Sequence, residues 1–282
     1  MRLFITGGTG FIGSYVLRAA LTAGHQVRAL RRTEESKPAI SLPADPEWIS
    51  GSLAALTADQ IEGSEAVIHL ATAGVSPKRV SWDELVKTNV AGSMRVLEMG
   101  TRAGARRFVV AGTSHEYGLA ANRFKKIPAD APLEPLNLYG ASKAAAFQML
   151  RAFAIEHGLE LFYGRLFSAY GEGQYAGNFW PSLKAAALTG ADFQMSSGSH
   201  VSDFLPAGKA AEHLLEACNR ADVLAGKPMV VNIGSGQASS LLDFAQHQWL
   251  QFGASGKLLP GSLMDRPDQI DYCVPDLKDL NP

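Results

Sequence analysis

Thr6-Gly7-Gly8-Thr9-Gly10-Phe11-Ile12-Gly13 stands directly after the apolar segment Leu3-Phe4-Ile5 and directly before the helix-patterned stretch Ser14 to Ala23. Strand, glycine turn and helix in that order predict a dinucleotide pocket. Gly7, Gly10 and Gly13 let the backbone turn tightly, approach a pyrophosphate without a Cβ in the way, and seat the helix against its strand. The free N–H groups and positive dipole end of that helix then face the diphosphate. Glycine turns of this length also serve plain strand-to-helix reversals. Here a second apolar strand, Gln26-Val27-Arg28-Ala29-Leu30, follows the helix and supports the dinucleotide reading.

Outward from this unit, strands and helices continue to alternate. A polar loop over 33–46 leads to a short strand, Glu47 to Ser50, and a buried strand, Ala66-Val67-Ile68-His69-Leu70. Leu85, Val86, Val90, Met94, Val96 and Leu97 have helical spacing within 82–103, ahead of the strand Arg107 to Ala111, a long helix over 138–157 and a strand over 160–167. This pattern predicts an α/β fold, a Rossmann-type doubly wound parallel sheet with a smaller C-terminal α/β substrate lobe. The dinucleotide-binding domain is expected over 1–170 and the substrate lobe over 171–282, with the strand at 229–233 returning to the main sheet.

The 282 residues are 46% hydrophobic and 19% charged, which suits a substantial core. A net charge of -1 gives no general pull toward nucleic acid or an anionic membrane, so a small-molecule partner is expected. Cys218 and Cys273 are too few for a disulfide framework or a sulfur-rich metal site, and no metal is expected. The first strand starts at Arg2, leaving no room for a signal peptide, and no apolar run approaches the roughly 20 residues that span a bilayer. These features lead to the expectation of a cytoplasmic protein.

Tyr139 and Lys143 lie four residues apart in a helical pattern, so both project from one face. An ammonium beside a phenol favours phenolate, which suits proton exchange with a substrate hydroxyl or carbonyl near neutral pH. Tyr-x-x-x-Lys also occurs as an ordinary surface pair. The strand ending in Gly112-Thr113-Ser114 adds hydroxyls at the carboxyl edge of the sheet, where α/β ligands bind.

Together these residues resemble the extended short-chain dehydrogenase/reductase family, often called the NAD-dependent epimerase/dehydratase family, which acts mostly on nucleotide-activated sugars. The resemblance covers nearly the whole chain through ordered motifs. They are Thr6 to Gly13, His69-Leu70-Ala71, Thr88-Asn89-Val90-x-Gly92, Thr113-Ser114-x-x-Tyr117-Gly118, Tyr139-x-x-x-Lys143, Arg165-Leu166-Phe167-x-x-Tyr170-Gly171, Asn232 to Gly236, and Arg266-Pro267. It implies Tyr139 as acid/base, Lys143 holding the nicotinamide ribose and tuning Tyr139, and Thr113 bonding the reacting oxygen. It places the cofactor against Gly7, Gly10, Phe11, Ile12, Gly13, Arg31, Arg32, Ser52, Leu53, Leu70, Ala71, Thr72, Asn89, Tyr139, Lys143, Leu166 and Phe167. The substrate is placed against Ser114, His115, Asn178 and Arg266, the last two toward its diphosphate. A homodimer through the helices at 82–103 and 138–157 is expected by the same analogy.

Four departures from the family pattern sharpen the expectation. Arg31-Arg32 replaces the acidic residue after the second strand, which favours NADP(H), with NAD(H) still possible if the arginines simply face solvent. Gly51-Ser52-Leu53 replaces an Asp-containing turn at the adenine, and Ser202 replaces an arginine before Asp203-Phe204. Ser114 and His115 occupy the places where sugar dehydratases carry an acid; Glu116 comes one place later and, in an extended segment, points away. Dehydration is therefore disfavoured. The expected activity is NADPH-dependent reduction of a nucleotide-linked 4-keto-6-deoxy sugar. The alternatives are a nucleotide-sugar 4-epimerase with tightly bound NAD and, from another class, a non-catalytic NADP-binding sensor.

Overall fold

The continuous apolar runs Leu3-Phe4-Ile5 and Ala66-Val67-Ile68 are buried on both faces of their strands, and helices cover both. The computed structural model describes residues 1–75, 80–265 and 270–280. In chain order β1 (Arg2–Thr6), α1 (Phe11–Thr22), β2 (Gln26–Arg31), β3 (Glu47–Ser50) and β4 (Ala66–His69) come first. After them come α2 (Trp82–Leu85), α3 (Ser93–Arg102), β5 (Arg107–Thr113), α4 (Leu138–Glu156) and β6 (Glu160–Leu166). Leu3 and Ile5 of β1 pack with Val16 and Leu17 of α1, while Phe4 between them packs with Val96 and Leu97 of α3.

Beyond β6 the elements shorten. They are β7 (Ser168–Tyr170), α5 (Phe179–Thr189), β8 (Phe193–Gln194), β9 (Val201–Ser202), β10 (Phe204–Pro206), α6 (Ala207–Glu216), β11 (Met229–Ile233), β12 (Ser239–Ser240), α7 (Leu241–Gln251), β13 (Leu258–Leu259) and β14 (Tyr272–Cys273). α6 returns to the α1 face of the sheet through Ala210, Ala211 and Leu214. α5 and α7 form a separate apolar core around Trp180, Leu183, Phe244 and Trp249.

Seven parallel strands run in the order β11-β6-β5-β4-β1-β2-β3, a Rossmann-type sheet with helices on both faces. The order reverses between β1 and β4, and this switch point opens a crevice at the carboxyl ends of those strands. Thr6 pairs with both Leu30 and His69, so the glycine turn leaves the sheet in that crevice.

Two elements depart from the sequence expectation. α1 begins at Phe11, so Gly13 already lies in its first turn. The stretch 82–103 is not one α-helix: Val86–Gly92 widens into a π-helical turn between α2 and α3. Asn89, fully buried in that turn, bonds Ala73 and Ser142 on neighbouring segments, and those tertiary bonds accompany the local change of pitch. Among the described residues no helix is long and apolar enough to cross a membrane.

Candidate active site

The glycine turn forms a backbone cradle with no room for side chains. Gly7 has φ +74°, and a Cβ there would lie 2.4 Å from Ala71 N; one at Gly13 would lie 2.0 Å from Gly7 O. No side chain caps the N-terminus of α1, whose cap residue is Gly10. Bare N–H groups, a helix dipole and close backbone approach match the needs of a dinucleotide diphosphate. Phe11 and Ile12 form the first helical residues, and Leu70, Ala71 and Thr72 continue from β4 on the other side of the switch point.

A buried polar chain ties this cradle to α4. Thr6 Oγ1 and His69 Nδ1 are 2.6 Å apart, and His69 Nε2 lies 2.8 Å from Ser93 Oγ. Ser93 Oγ donates to Asn89 O at 2.6 Å, and Asn89 Nδ2 donates to Ser142 Oγ at 2.9 Å. Asn89 Oδ1 accepts the Ala73 N–H and the Thr72 hydroxyl, so one side chain clamps the loop after β4 to the helix carrying Tyr139. Burial, with Lys143 nearby, pushes His69 down to about 3 from 6.5. His69 is therefore neutral at physiological pH.

Between about pH 6.5 and pH 4 the unfolded chain binds a proton at this position that the folded chain refuses, so stability falls on acidification by about 1.4 kcal/mol per pH unit from this residue. His69→Gln is expected to remove that part of the slope, at some loss of stability at pH 7. Denaturant unfolding from pH 4 to 8 checks it, and equal slopes in the two proteins would contradict the assignment.

Tyr139, Lys143 and Thr113 come together at the carboxyl end of β5. The Tyr139 hydroxyl is hydrogen-bonded with the Thr113 and Thr72 side chains. Lys143 is buried and donates from Nζ to Ala111 O at 2.8 Å. The expected acid shift of Tyr139 is absent from the protein alone. Loss of solvent around the hydroxyl pushes it up to about 12 against the two hydroxyl bonds, while burial lowers Lys143. The phenol is protonated and set to donate.

Ser114 and His115 adjoin this group, and the His115 ring stands edge-on to Tyr139 at 5.7 Å. The segment is not extended as expected. Ser114–Glu116 form a 3-10 turn capped by Thr113, whose hydroxyl accepts the His115 N–H at 3.3 Å. Glu116 is turned inward, its Oε2 accepting Arg165 Nε at 2.7 Å in a fully buried ion pair.

The other expected contacts are spread around the rim. Arg31 Nε donates to Ser50 Oγ at 3.2 Å and its guanidinium lies over Trp48, while Arg32 is exposed. Ser52 caps a short turn, Leu53–Ala55, beside them, and Leu53 abuts Gly92. Leu166 ends β6 and Phe167 follows it, tilted against Tyr117. Asn178 heads α5, its N–H donating to Tyr175 O at 2.9 Å and its carbonyl accepting the Ser182 N–H at 3.1 Å. Arg266 lies outside the described residues.

Two residues escaped the sequence reading. Cys273 of β14 forms a hydrogen bond with Ser114, and burial pushes its thiol up to about 11. It pairs with Ser202 of β9, so small residues stand where the family pattern has an arginine. Asp203 accepts the Ser235 N–H at 2.7 Å and fastens the glycine turn after β11, a role that its place before Phe204 did not disclose.

The chain is similar to known proteins in sequence and in fold. The model of the NAD dependent epimerase/dehydratase family matches residues 3–234. The chain is 28% identical to a UDP-glucose 4-epimerase of Azospirillum brasilense, over 94% of this chain and 80% of that protein. It is 30% identical to a dTDP-6-deoxy-L-talose 4-dehydrogenase (NAD(+)) of Aggregatibacter actinomycetemcomitans, over 73% of this chain and 75% of that one. The solved structure of MoeE5 in complex with UDP-glucose and NAD is similar with a TM-score of 0.84 at 28% identity, covering 99% of this chain and 91% of that one.

Proposed function

Because this chain belongs to the NAD-dependent epimerase/dehydratase family, we propose that it transfers hydride to the 4-keto group of a nucleotide-linked 6-deoxy sugar. One observation carries the choice among the family's reactions: the acid nearest Thr113 is committed to Arg165, leaving a protonated Tyr139 as the proton donor at that site. When bound, the nicotinamide supplies the hydride. Tyr139 then gives its proton to the developing alkoxide, and Thr113 hydrogen-bonds the same oxygen. Lys143, one turn along α4, would hold the nicotinamide ribose, and its ammonium stabilises the tyrosinate left on Tyr139 until a proton from solvent restores the phenol. Ser114 and His115 orient the sugar ring, with Asn178 and Arg266 assigned to the diphosphate.

The relative that oxidises C4 of a nucleotide-linked 6-deoxyhexose performs this step in the opposite direction, which supports the reading. The epimerase relative supports a second one, in which the same Tyr139 and Lys143 serve a retained NAD and the sugar turns over within the pocket. Mixing the protein with reduced cofactor and a panel of nucleoside diphosphate 4-keto-6-deoxyhexoses separates them. Oxidation of the cofactor at 340 nm is expected. No oxidation, with interconversion of an unmodified nucleotide hexose, would establish the epimerase instead.

For the cofactor we propose a preference for NADP(H), although the named dehydrogenase and the MoeE5 complex use or hold NAD. Arg31 ends β2 and Arg32 follows it, and Ser50 beside Arg31 adds a hydroxyl, a set that suits a 2′-phosphate better than a 2′-hydroxyl. Replacing both arginines by serine is expected to raise the KM for NADPH by about tenfold or more, with little change for NADH. Equal use of both cofactors by the unaltered protein would remove this preference.

A further inference from the structure

Glu116 is joined to β5 and β6 behind the reacting group. Its Oε1 accepts the Thr113 N–H at 2.9 Å and the Tyr163 hydroxyl at 2.8 Å, while Oε2 accepts Arg165 Nε at 2.7 Å. Arg165 is held in turn by Ala129 O at 2.8 Å and the Tyr117 hydroxyl at 3.2 Å, with the Phe147 and Tyr117 rings 4.6 and 4.9 Å from its Cζ. Side-chain exposure is 1% for Arg165 and 0% for Glu116. Such a pair gains little stability over apolar residues of the same volume, because both ions must be desolvated.

Neighbouring residues are shaped around the carboxylate. A Cβ at Gly112 would lie 2.3 Å from Tyr163 Cε1 and 2.8 Å from Glu116 Oε1, so only a bare backbone fits between Ala111 and Thr113. Ala111 O is the acceptor for Lys143 Nζ, and the Tyr163 hydroxyl also reaches Lys143 O at 3.4 Å. Glu116 thus contacts Thr113 directly and Lys143 through Tyr163.

We propose that Glu116, locked by Arg165, is a positioning residue for the hydride-transfer reaction: it fixes Thr113 from behind and keeps a negative charge at the back of the Tyr139 and Lys143 pair. This rests on the reading of Thr113 and Tyr139 as the groups that meet the substrate oxygen. Tyr139 is faced by Glu116, by Tyr163, and by the ring of His115, with Lys143 one turn along its own helix. Within that set the Glu116 charge raises both Tyr139 and Lys143, holding each in its protonated form.

Glu116→Gln keeps the shape and removes the charge. The kcat is expected to fall by about tenfold or more, since small displacements of a reacting group carry large rate costs. Cofactor affinity should stay within about twofold, because Glu116 lies away from the glycine cradle. In protein labelled with ¹³C at the tyrosine phenol carbons, the Tyr139 signal, identified by its absence in Tyr139→Phe, should titrate at lower pH than in the unaltered protein.

If the lone buried arginine unfolds that variant, Glu116→Gln with Arg165→Met removes both charges, and the same two changes are expected. Unchanged kcat in either folded variant, or a Tyr139 titration that does not move, overturns the proposal. The titration needs no substrate. Absence of turnover by the unaltered protein would count against the reductase reading alone, and the Tyr139 signal would then decide the positioning role by itself.

Discussion

Tyr139→Phe is expected to lower kcat by about a thousandfold, the range of a lost general acid, while NADPH still binds with an affinity within about twofold of the unaltered protein. The structure makes this a clean deletion. The lost hydroxyl is bonded with Thr113 and Thr72, whereas the ring rests on Gly74 and stands edge-on to His115, contacts that phenylalanine keeps. Both threonines can turn to other partners, since Thr72 already donates to Asn89 Oδ1 at 2.9 Å and Thr113 already accepts the His115 N–H. Steady-state kinetics beside fluorescence titration with NADPH separates the two effects. Full activity in this variant would remove Tyr139 from the chemistry.

The second large effect is expected at Gly13, where alanine should weaken cofactor binding by about a hundredfold or more and cost about 1–3 kcal/mol of stability. Its Cβ would stand 2.0 Å from Gly7 O, 2.7 Å from Gly7 C and 2.9 Å from Gly8 Cα, all backbone atoms of the cradle itself. No side-chain rotation relieves that contact, so the turn must open. Gly208 in α6 is the control, because the nearest neighbour of a Cβ there is 3.9 Å away and alanine favours the helix. Thermal unfolding and NADPH titration of the two variants test the contrast. Unimpaired cofactor binding by Gly13→Ala would mean that the cradle does not hold the diphosphate.

Much of this architecture was legible in local sequence. Leu3-Phe4-Ile5, the glycine turn and the second strand announced the crevice, and the helix expected over 138–157 is observed over Leu138–Glu156. What local patterns could not show were effects set by distant partners. The π turn at Val86–Gly92 accompanies bonds from Asn89 to Ala73 and to Ser142, 53 residues away. Glu116 turns inward to Arg165, 49 residues later, through a 3-10 turn where an extended segment was expected. Tyr139 and Lys143 have the spacing expected of a tuned pair, yet the proton affinity of the phenol is governed by desolvation, which depends on everything packed around it. Cys273 reaches Ser114 only because β14 lies beside β9.

The central claim is direct delivery of hydride to C4 with the proton supplied by Tyr139. NADPH carrying deuterium at the transferable position of the nicotinamide, incubated with the protein and a nucleoside diphosphate 4-keto-6-deoxyhexose, tests it in one product spectrum. The account predicts a nucleotide 6-deoxyhexose with one deuterium at C4 and a single configuration there, formed about a thousandfold more slowly by Tyr139→Phe. A product without deuterium at C4, or a labelled product from Tyr139→Phe at the normal rate, would contradict it.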